Sequence, residues 1–237
     1  PLISITAVRT GCGKSQTTRR VTDILWGMGK KVAVIRHPMP YGDLVAQKAQ
    51  RFETYEDMDK YDCTIEEREE YEPHIDRGNL VFAGVDYEEI LRQAEKEADV
   101  IVWDGGNNDF SFYESDFSIV LADPLRAGHE RTYYPGNVSI RMADLVVINK
   151  VETATPDQVN EVRKSVRDLT PDSGIMEASS PLSVEDPSVI SGKRVLVIED
   201  GPTVTHGEMD LGAGTLAARK FGARELIDPK PHAVGSL

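Results

Sequence analysis

Long hydrophobic runs, paired cysteines and an excess of positive charge are what this sequence of 237 residues lacks. No apolar stretch approaches the roughly 20 residues that a membrane-spanning helix needs, and no signal peptide precedes the first strand-like run, so the chain reads as cytoplasmic. Its two cysteines, Cys12 and Cys63, are too few for a disulfide framework or a four-cysteine zinc site and form no C-x-x-C pair. Both read as free thiols. Lys and Arg total 27 against 40 Asp and Glu, a formal net charge of −13. That balance disfavours nonspecific binding to nucleic acid or to an anionic membrane, and any anion site has to be local.

What is present is a core-forming composition, 40% hydrophobic, arranged as short β-branched runs alternating with longer segments of helical period. That order predicts an α/β fold with a mainly parallel sheet and helical crossovers. The strand candidates are 2-LISITAV-8, 32-VAVIR-36, 80-LVFA-83, 100-VIVW-103, 118-SIVLA-122, 144-DLVVIN-149, 174-GIMEA-178 and 194-RVLVIE-199. A helix opening near Ser15 is expected to bury Val21, Ile24, Leu25 and Met28 and to stop at Gly29. A second starts at Asp86 with Glu89 completing a capping box, and buries Ile90, Leu91 and Ala94. A third has Thr155 as its cap, Pro156 in its first turn, and Val159, Val162, Val166 and Leu169 facing in. The acidic run 66-EEREEYE-72 reads as a solvated helix begun at Thr64. No repeat or linker is evident, so residues 1–237 read as one domain, and the absence of an initiating Met suggests an excerpt of a longer chain.

The segment 9-RTGCGKS-15 carries the chemistry. Gly11 and Gly13, flanking Cys12, let the backbone curl with its N–H groups inward, and a helix starting at Lys14 adds the positive end of its dipole. Lys14 would reach the β- and γ-phosphates of a nucleotide, the Ser15 hydroxyl would ligate Mg²⁺, and Thr10 and Gln16 complete the nucleotide-binding run. The common pattern G-x-x-x-x-G-K-[ST] is broken at Val8. The loop instead resembles the deviant form K-G-G-x-G-K-[ST] of nitrogenase iron protein and related dimeric ATPases, with Arg9 at the signature lysine and Thr10 replacing a glycine. The resemblance implies that Arg9 reaches phosphate, from its own subunit or across a homodimer. Cys12 reads as a small loop residue, although a thiol at a helix N-terminus can also be reactive.

A carboxylate at the end of a buried strand is needed for Mg²⁺, and 100-VIVWDGGNND-109 supplies Asp104. Asn107, Asn108 and Asp109 then shape a turn. After 144-DLVVI-148 comes 149-NKVE-152, where Asn149, Lys150 and Glu152 stand like the base-reading N-K-x-D of GTPases, with Glu for Asp. Asn149 could equally meet adenine, so ATP and GTP both stay open. Two further strand-end loops are rich in polar groups. In 36-RHPMPYGD-43, Arg36 and His37 face an anionic substrate and Asp43 adds a contact to metal or its water; in 123-DPLRAGHERTYYPG-136, Arg126, His129 and Arg131 lie near Tyr133 and Tyr134. His206 in 200-DGPTVTHGEM-209 is a weaker candidate.

Together, AVRTGCGKSQT, IRHPMPYGDLVAQ, CTIEEREEYEPHI, WDGGNNDF, ADLVVINKVET and EDGPTVTHGEM resemble the cyclic 2,3-diphosphoglycerate synthetase family and related predicted GTPases, over essentially the whole chain. The resemblance implies a three-layer P-loop NTPase domain that uses ATP to close 2,3-diphosphoglycerate into a cyclic phosphoanhydride. In that reading Lys14 and Asp104 act in catalysis, and Arg36, His37, Arg126, His129 and Arg131 clamp the small phosphorylated substrate. The alternative is a regulatory or chaperone-type GTPase.

Overall fold

The computed structural model describes residues 1–37, 39, 42–105, 109–199, 212–228 and 230–232. The chain divides into two compact units, Pro1–Ala178 and Ser179–Leu237.

The first unit runs β1 (Leu2–Ala7), α1 (Lys14–Gly27), β2 (Val32–Arg36), β3 (Gln50–Phe52), α2 (Tyr55–Lys60), α3 (Ile65–Ile75), β4 (Leu80–Ala83), α4 (Tyr87–Glu97), β5 (Val100–Asp104) and β6 (Phe117–Ala122). Two short helices follow, α5 (His129–Thr132) and α6 (Gly136–Ser139), then β7 (Leu145–Ile148), α7 (Pro156–Leu169) and β8 (Gly174–Glu177). Its sheet has the order β3-β4-β2-β5-β1-β6-β7-β8, parallel throughout except that β3 is antiparallel to β4.

The apolar strand runs follow from burial on both faces. Along β2, Val32 and Val34 join the cluster that includes Leu25 of α1, while Ala33 and Ile35 join Ile90 and Ala94 of α4. β5 alternates in the same way, with Val100 and Val102 on the α1 side and Ile101 and Trp103 on the α4 side. A third cluster of Phe52, Met58, Tyr71, Ile75, Val81 and Ala83 seats α2 and α3 on the outer strands. The strand β3, 50-QRF-52, has no β-branched residue and was invisible to the sequence pattern.

The helix starts follow their caps. Thr155 and Gln158 form a reciprocal capping box at α7, as Thr64 and Glu67 do at α3. At α4 the Asp86 carboxylate accepts from the Glu89 N–H, but the expected return bond from Glu89 is replaced by its ion pair with Lys48. The buried stripe of α1 also differs from expectation. It is Lys14, Thr18, Thr22 and Leu25, whereas Ile24 and Met28 are 48% and 65% exposed. The helix turns its polar stripe inward because Lys14 and Thr18 have a buried partner on β5.

In the second unit β9 (Arg194–Leu196) and β10 (Glu225–Ile227) form a separate parallel pair, with α8 (Ala213–Lys220) between them in sequence. The strand expected at 194–199 thus belongs to this small sheet. Among the described residues no helix is long and apolar enough to cross a membrane.

Candidate functional site

The site grows from the carboxyl end of β1. The Val8 N–H continues the parallel pairing to the Leu121 carbonyl at 2.8 Å, and the chain then curls through Arg9–Gly13 into α1. Gly13 holds φ 100, a left-handed conformation costly for other residues, and a Cβ there would stand 2.2 Å from Nδ2 of Asn149.

What shapes the loop is behind it. Arg126 donates to the Thr10 carbonyl at 2.8 Å, Lys150 Nζ to the Gly11 carbonyl, and Asn149 Nδ2 to the Cys12 carbonyl at 2.8 Å. Asp123, 5% exposed, ties two of these donors together, with Oδ2 at 3.0 Å from Arg126 and 3.3 Å from Lys150. Three successive carbonyls are thereby drawn to one side. The N–H groups of Gly11, Gly13, Lys14 and Ser15 donate to no acceptor among the described residues. Such a row of N–H groups at a helix start is a concavity for an anion.

Beside the loop lies a buried charge cluster centred on Asp104, 1% exposed at the end of β5. Lys14 forms an ion pair with Oδ1, which also accepts from Thr18 Oγ1 at 3.1 Å. Arg36 NH1 lies 2.7 Å from Oδ2, and His74 Nε2 lies 3.5 Å from the same oxygen. Arg36 also donates to the Asp104 backbone carbonyl at 3.0 Å and pairs with Glu70. Burial alone would raise the Asp104 carboxyl, but Arg36, Lys14 and His74 outweigh it and hold it well below the usual carboxylate range. Burial lowers the Lys14 ammonium from its ordinary value, against the pull of Asp104. On Arg36 burial also opposes charge, but Asp104 and Glu70 outweigh it, and the net shift is upward.

The structure brings together Thr10, Gly11, Cys12, Gly13, Lys14, Asn149, Lys150 and Arg126 around the loop, with Asp104 against Lys14. Ser15 is half-buried in the first turn of α1, Gln16 next to it is exposed, and Glu152 is exposed in the turn after β7. Asn149 and Lys150 meet the loop carbonyls from behind.

The basic candidates of the loop and of the neighbouring strand ends meet partners within the chain. Arg9 is 2% exposed, its guanidinium 4.3 Å above the Tyr133 ring and NH1 2.9 Å from Nδ1 of His129. It is buried in its own chain rather than projecting to a neighbour. His129 stacks on Tyr133 with 9° between the rings. Arg131 bonds Asp168 of α7 at 2.7 Å. Arg36 and Arg126 are committed to Asp104 and Asp123. His37 is half-buried just past β2. Asp43 is exposed and caps its own turn, accepting from the Val45 N–H at 2.8 Å. Of the five expected clamp residues, Arg36, Arg126 and Arg131 are thus paired with carboxylates of the chain, and His129 meets Arg9. Asn107, Asn108 and His206 lie outside the described residues.

Cys12 is 1% exposed, and burial pushes its thiol up to about 11 despite the Arg126 guanidinium nearby, which makes it a packing residue of the loop. Sequence reasoning missed Thr18, Glu70 and His74. For the last two a signal existed: Thr64 and Glu67 are three apart and mark the helix start, which fixes one face through Glu67, Glu70, Tyr71 and His74.

Mg²⁺ fits the hard oxygen donors available, the Ser15 hydroxyl in the first turn of α1 and the Asp104 carboxylate. Among the described residues no three His, Cys, Asp or Glu side chains form a metal site by themselves. Any such ion would be shared with phosphate oxygens.

No family model matches the chain. Among curated proteins, all of it aligns at 62% identity with "Arginine synthetase ArcE" of Thermococcus kodakarensis. The chain spans about half the length of that relative, 53%. Among solved structures, LpxK from Aquifex aeolicus in complex with ATP superposes with a TM-score of 0.55 at 14% identity, covering 96% of this chain and 70% of that one. That likeness shows the fold: an α/β domain with a mainly parallel sheet, as the sequence pattern predicts.

Proposed function

We propose that this chain is the nucleotide-activating part of a Mg²⁺-dependent synthetase and that the bond it helps to make yields arginine. The observation that carries the nucleotide reading is the row of N–H groups at Gly11, Gly13, Lys14 and Ser15, preorganised by the carbonyl contacts of Arg126, Lys150 and Asn149. The arginine reading comes from the name of the 62% identical relative. The nucleotide β- and γ-phosphates would lie in that concavity, with the Lys14 ammonium turned from Asp104 toward them. Ser15 and Asp104 would hold Mg²⁺, which supplies charge neutralisation between phosphate oxygens. In the reaction an oxygen of the acceptor attacks the γ-phosphorus, the bond to the nucleoside diphosphate breaks, and the acceptor gains phosphate as a leaving group. A nitrogen nucleophile then displaces inorganic phosphate. Arg36 keeps Asp104 ionised throughout.

Closure of 2,3-diphosphoglycerate would use the same first step, but it requires a cationic clamp. Arg36, Arg126 and Arg131 are each paired with a carboxylate, on Asp104, Asp123 and Asp168. The synthetase that yields arginine is the reading the geometry supports better. ATP and GTP both fit, and a cytoplasmic setting suits either.

The test runs the reaction backwards in the full-length protein. With arginine, Mg²⁺, phosphate and either ADP or GDP, nucleoside triphosphate should form only when arginine is present. Formation of a cyclic product from ATP and 2,3-diphosphoglycerate, seen by ³¹P resonance, with no arginine-dependent exchange, would replace this reading.

A further inference from the structure

Outside the phosphate loop, a cleft of about 390 Å³ opens beside α2 and α3, lined among others by Asp43, Gln50, Lys60, Asp62, Thr64 and Glu67. Its place in the fold follows from the strand register. Gln50 of β3 is opposite Ala83 of β4, and Ala83 is opposite Arg36 of β2, whose guanidinium holds Asp104. From the other side α3 carries Glu67 into the cleft and, one turn later, Glu70 onto Arg36. The cleft therefore adjoins the carboxyl ends of the strands that bear the charge cluster, where open α/β sheets place their ligands.

Two of its walls are buried polar groups with unused capacity. Glu67 is 4% exposed, and its Oε2 serves the Thr64 cap, accepting from the N–H at 2.8 Å and the hydroxyl at 3.2 Å. No cation pairs with it among the described residues, although a buried carboxylate without a counter-charge is costly. Gln50 is 5% exposed, and its amide makes no hydrogen bond among the described residues. Three carboxylates, Asp43, Asp62 and Glu67, face one lining ammonium, Lys60, whose Nζ lies 4.9 Å from the Tyr61 ring centroid. This balance repels a phosphorylated anion.

We propose that this cleft binds the amino-acid partner of the reaction. A cationic, N–H-rich end of the ligand lies against Glu67 and Gln50, and its carboxylate turns to Lys60 at the rim. The inference rests on the synthetase reading above and names a subsite for it. The opposite expectation, an anionic substrate held by Arg36 and its neighbours, places positive charge where the structure has already neutralised it.

The experiment is calorimetric titration of the full-length protein with arginine as the probe and glutamate as the control. Wild type should bind arginine and not glutamate. Glu67→Gln keeps the helix cap, because Gln serves that position equally well, and should weaken arginine binding about tenfold or more. Gln50→Leu should weaken it as well, with thermal melting used to confirm that each variant is folded. Arginine binding unchanged in both variants overturns the subsite and leaves the synthetase reading standing. Preference for glutamate, or no arginine binding by wild type, also overturns the subsite, and the exchange assay then judges the reading on its own.

Discussion

His74, near the end of α3, sets Nε2 3.5 Å from Oδ2 of Asp104, and both side chains are buried. The ring shares that oxygen with Arg36, so the position of the carboxylate depends on a helix distant in sequence. His74→Leu removes one partner from a buried carboxylate and should cost about 1–3 kcal/mol in denaturant unfolding. His74→Gln, which restores a donor, should recover part of that loss and part of the turnover. Equal behaviour of the two variants would show that the ring matters only as volume.

Lys14→Ala should reduce nucleotide turnover by about 100-fold or more, the scale seen when a positioned donor to developing charge is removed. Phosphate release by the full-length protein is the measurement. Asp104→Asn should fall as far, but with an added loss of stability, because Lys14 and Arg36 then face each other without a carboxylate. Turnover retained in Lys14→Ala would remove the loop from the chemistry.

Arg126 tests the idea that the loop is held from behind. Arg126→Met frees the Thr10 carbonyl and leaves Asp123 with Lys150 as its partner. Breaking a buried pair from one side costs roughly 3–5 kcal/mol at the upper end. Half-saturating nucleotide should rise as the N–H row loses its shape. The double variant with Asp123→Asn should recover stability more than affinity.

Gly136 opens α6 directly beneath the start of the loop, and a Cβ on it would stand 2.0 Å from the Val8 carbonyl oxygen. Gly136→Ala must push backbone from backbone, so a destabilisation of about 1–3 kcal/mol is the minimum expected for overpacking. Gly29→Ala meets nothing within 4 Å but sits at φ 73, and its smaller loss should reflect backbone conformation alone. Thermal melts of the pair separate crowding from strain.

The sheet and the loop were legible because their causes are local. Apolar runs such as 32-VAVIR-36, glycines at the loop and caps such as Thr155 act within a few residues. The partners of charged groups were not, since they come from far along the chain. Arg36 meets Asp104 across 68 residues and Arg131 meets Asp168 across 37, so both read in the sequence as spare positive charge awaiting an anion. The run 66-EEREEYE-72 misled for the same reason: its charges looked solvated, while Glu67, Tyr71 and His74 on one face are buried. Arg9 matched the position of a phosphate-reaching lysine, but Tyr133 and His129 take it up, which only the folded chain could show.

Cys12 supplies a prediction with a definite sign. Burial holds its thiol up at about 11 against an ordinary 9.0, and burial likewise raises Cys63 to about 12. A thiol whose folded value lies above its unfolded value adds stability that is complete below the unfolded value. That contribution is lost as pH rises from about 9 through 11. The unfolded chain can shed the proton in that window and the folded chain cannot. At pH 8 only the thiol form is present in the folded protein, and thiolate is the reactive species. Iodoacetamide at pH 8 should therefore leave Cys12 unlabelled in the native protein by peptide mass mapping and label it fully after denaturation. Rapid native labelling of Cys12 would mean that the loop opens around it, and that the carbonyl contacts of Arg126 and Asn149 do not hold the loop closed in solution.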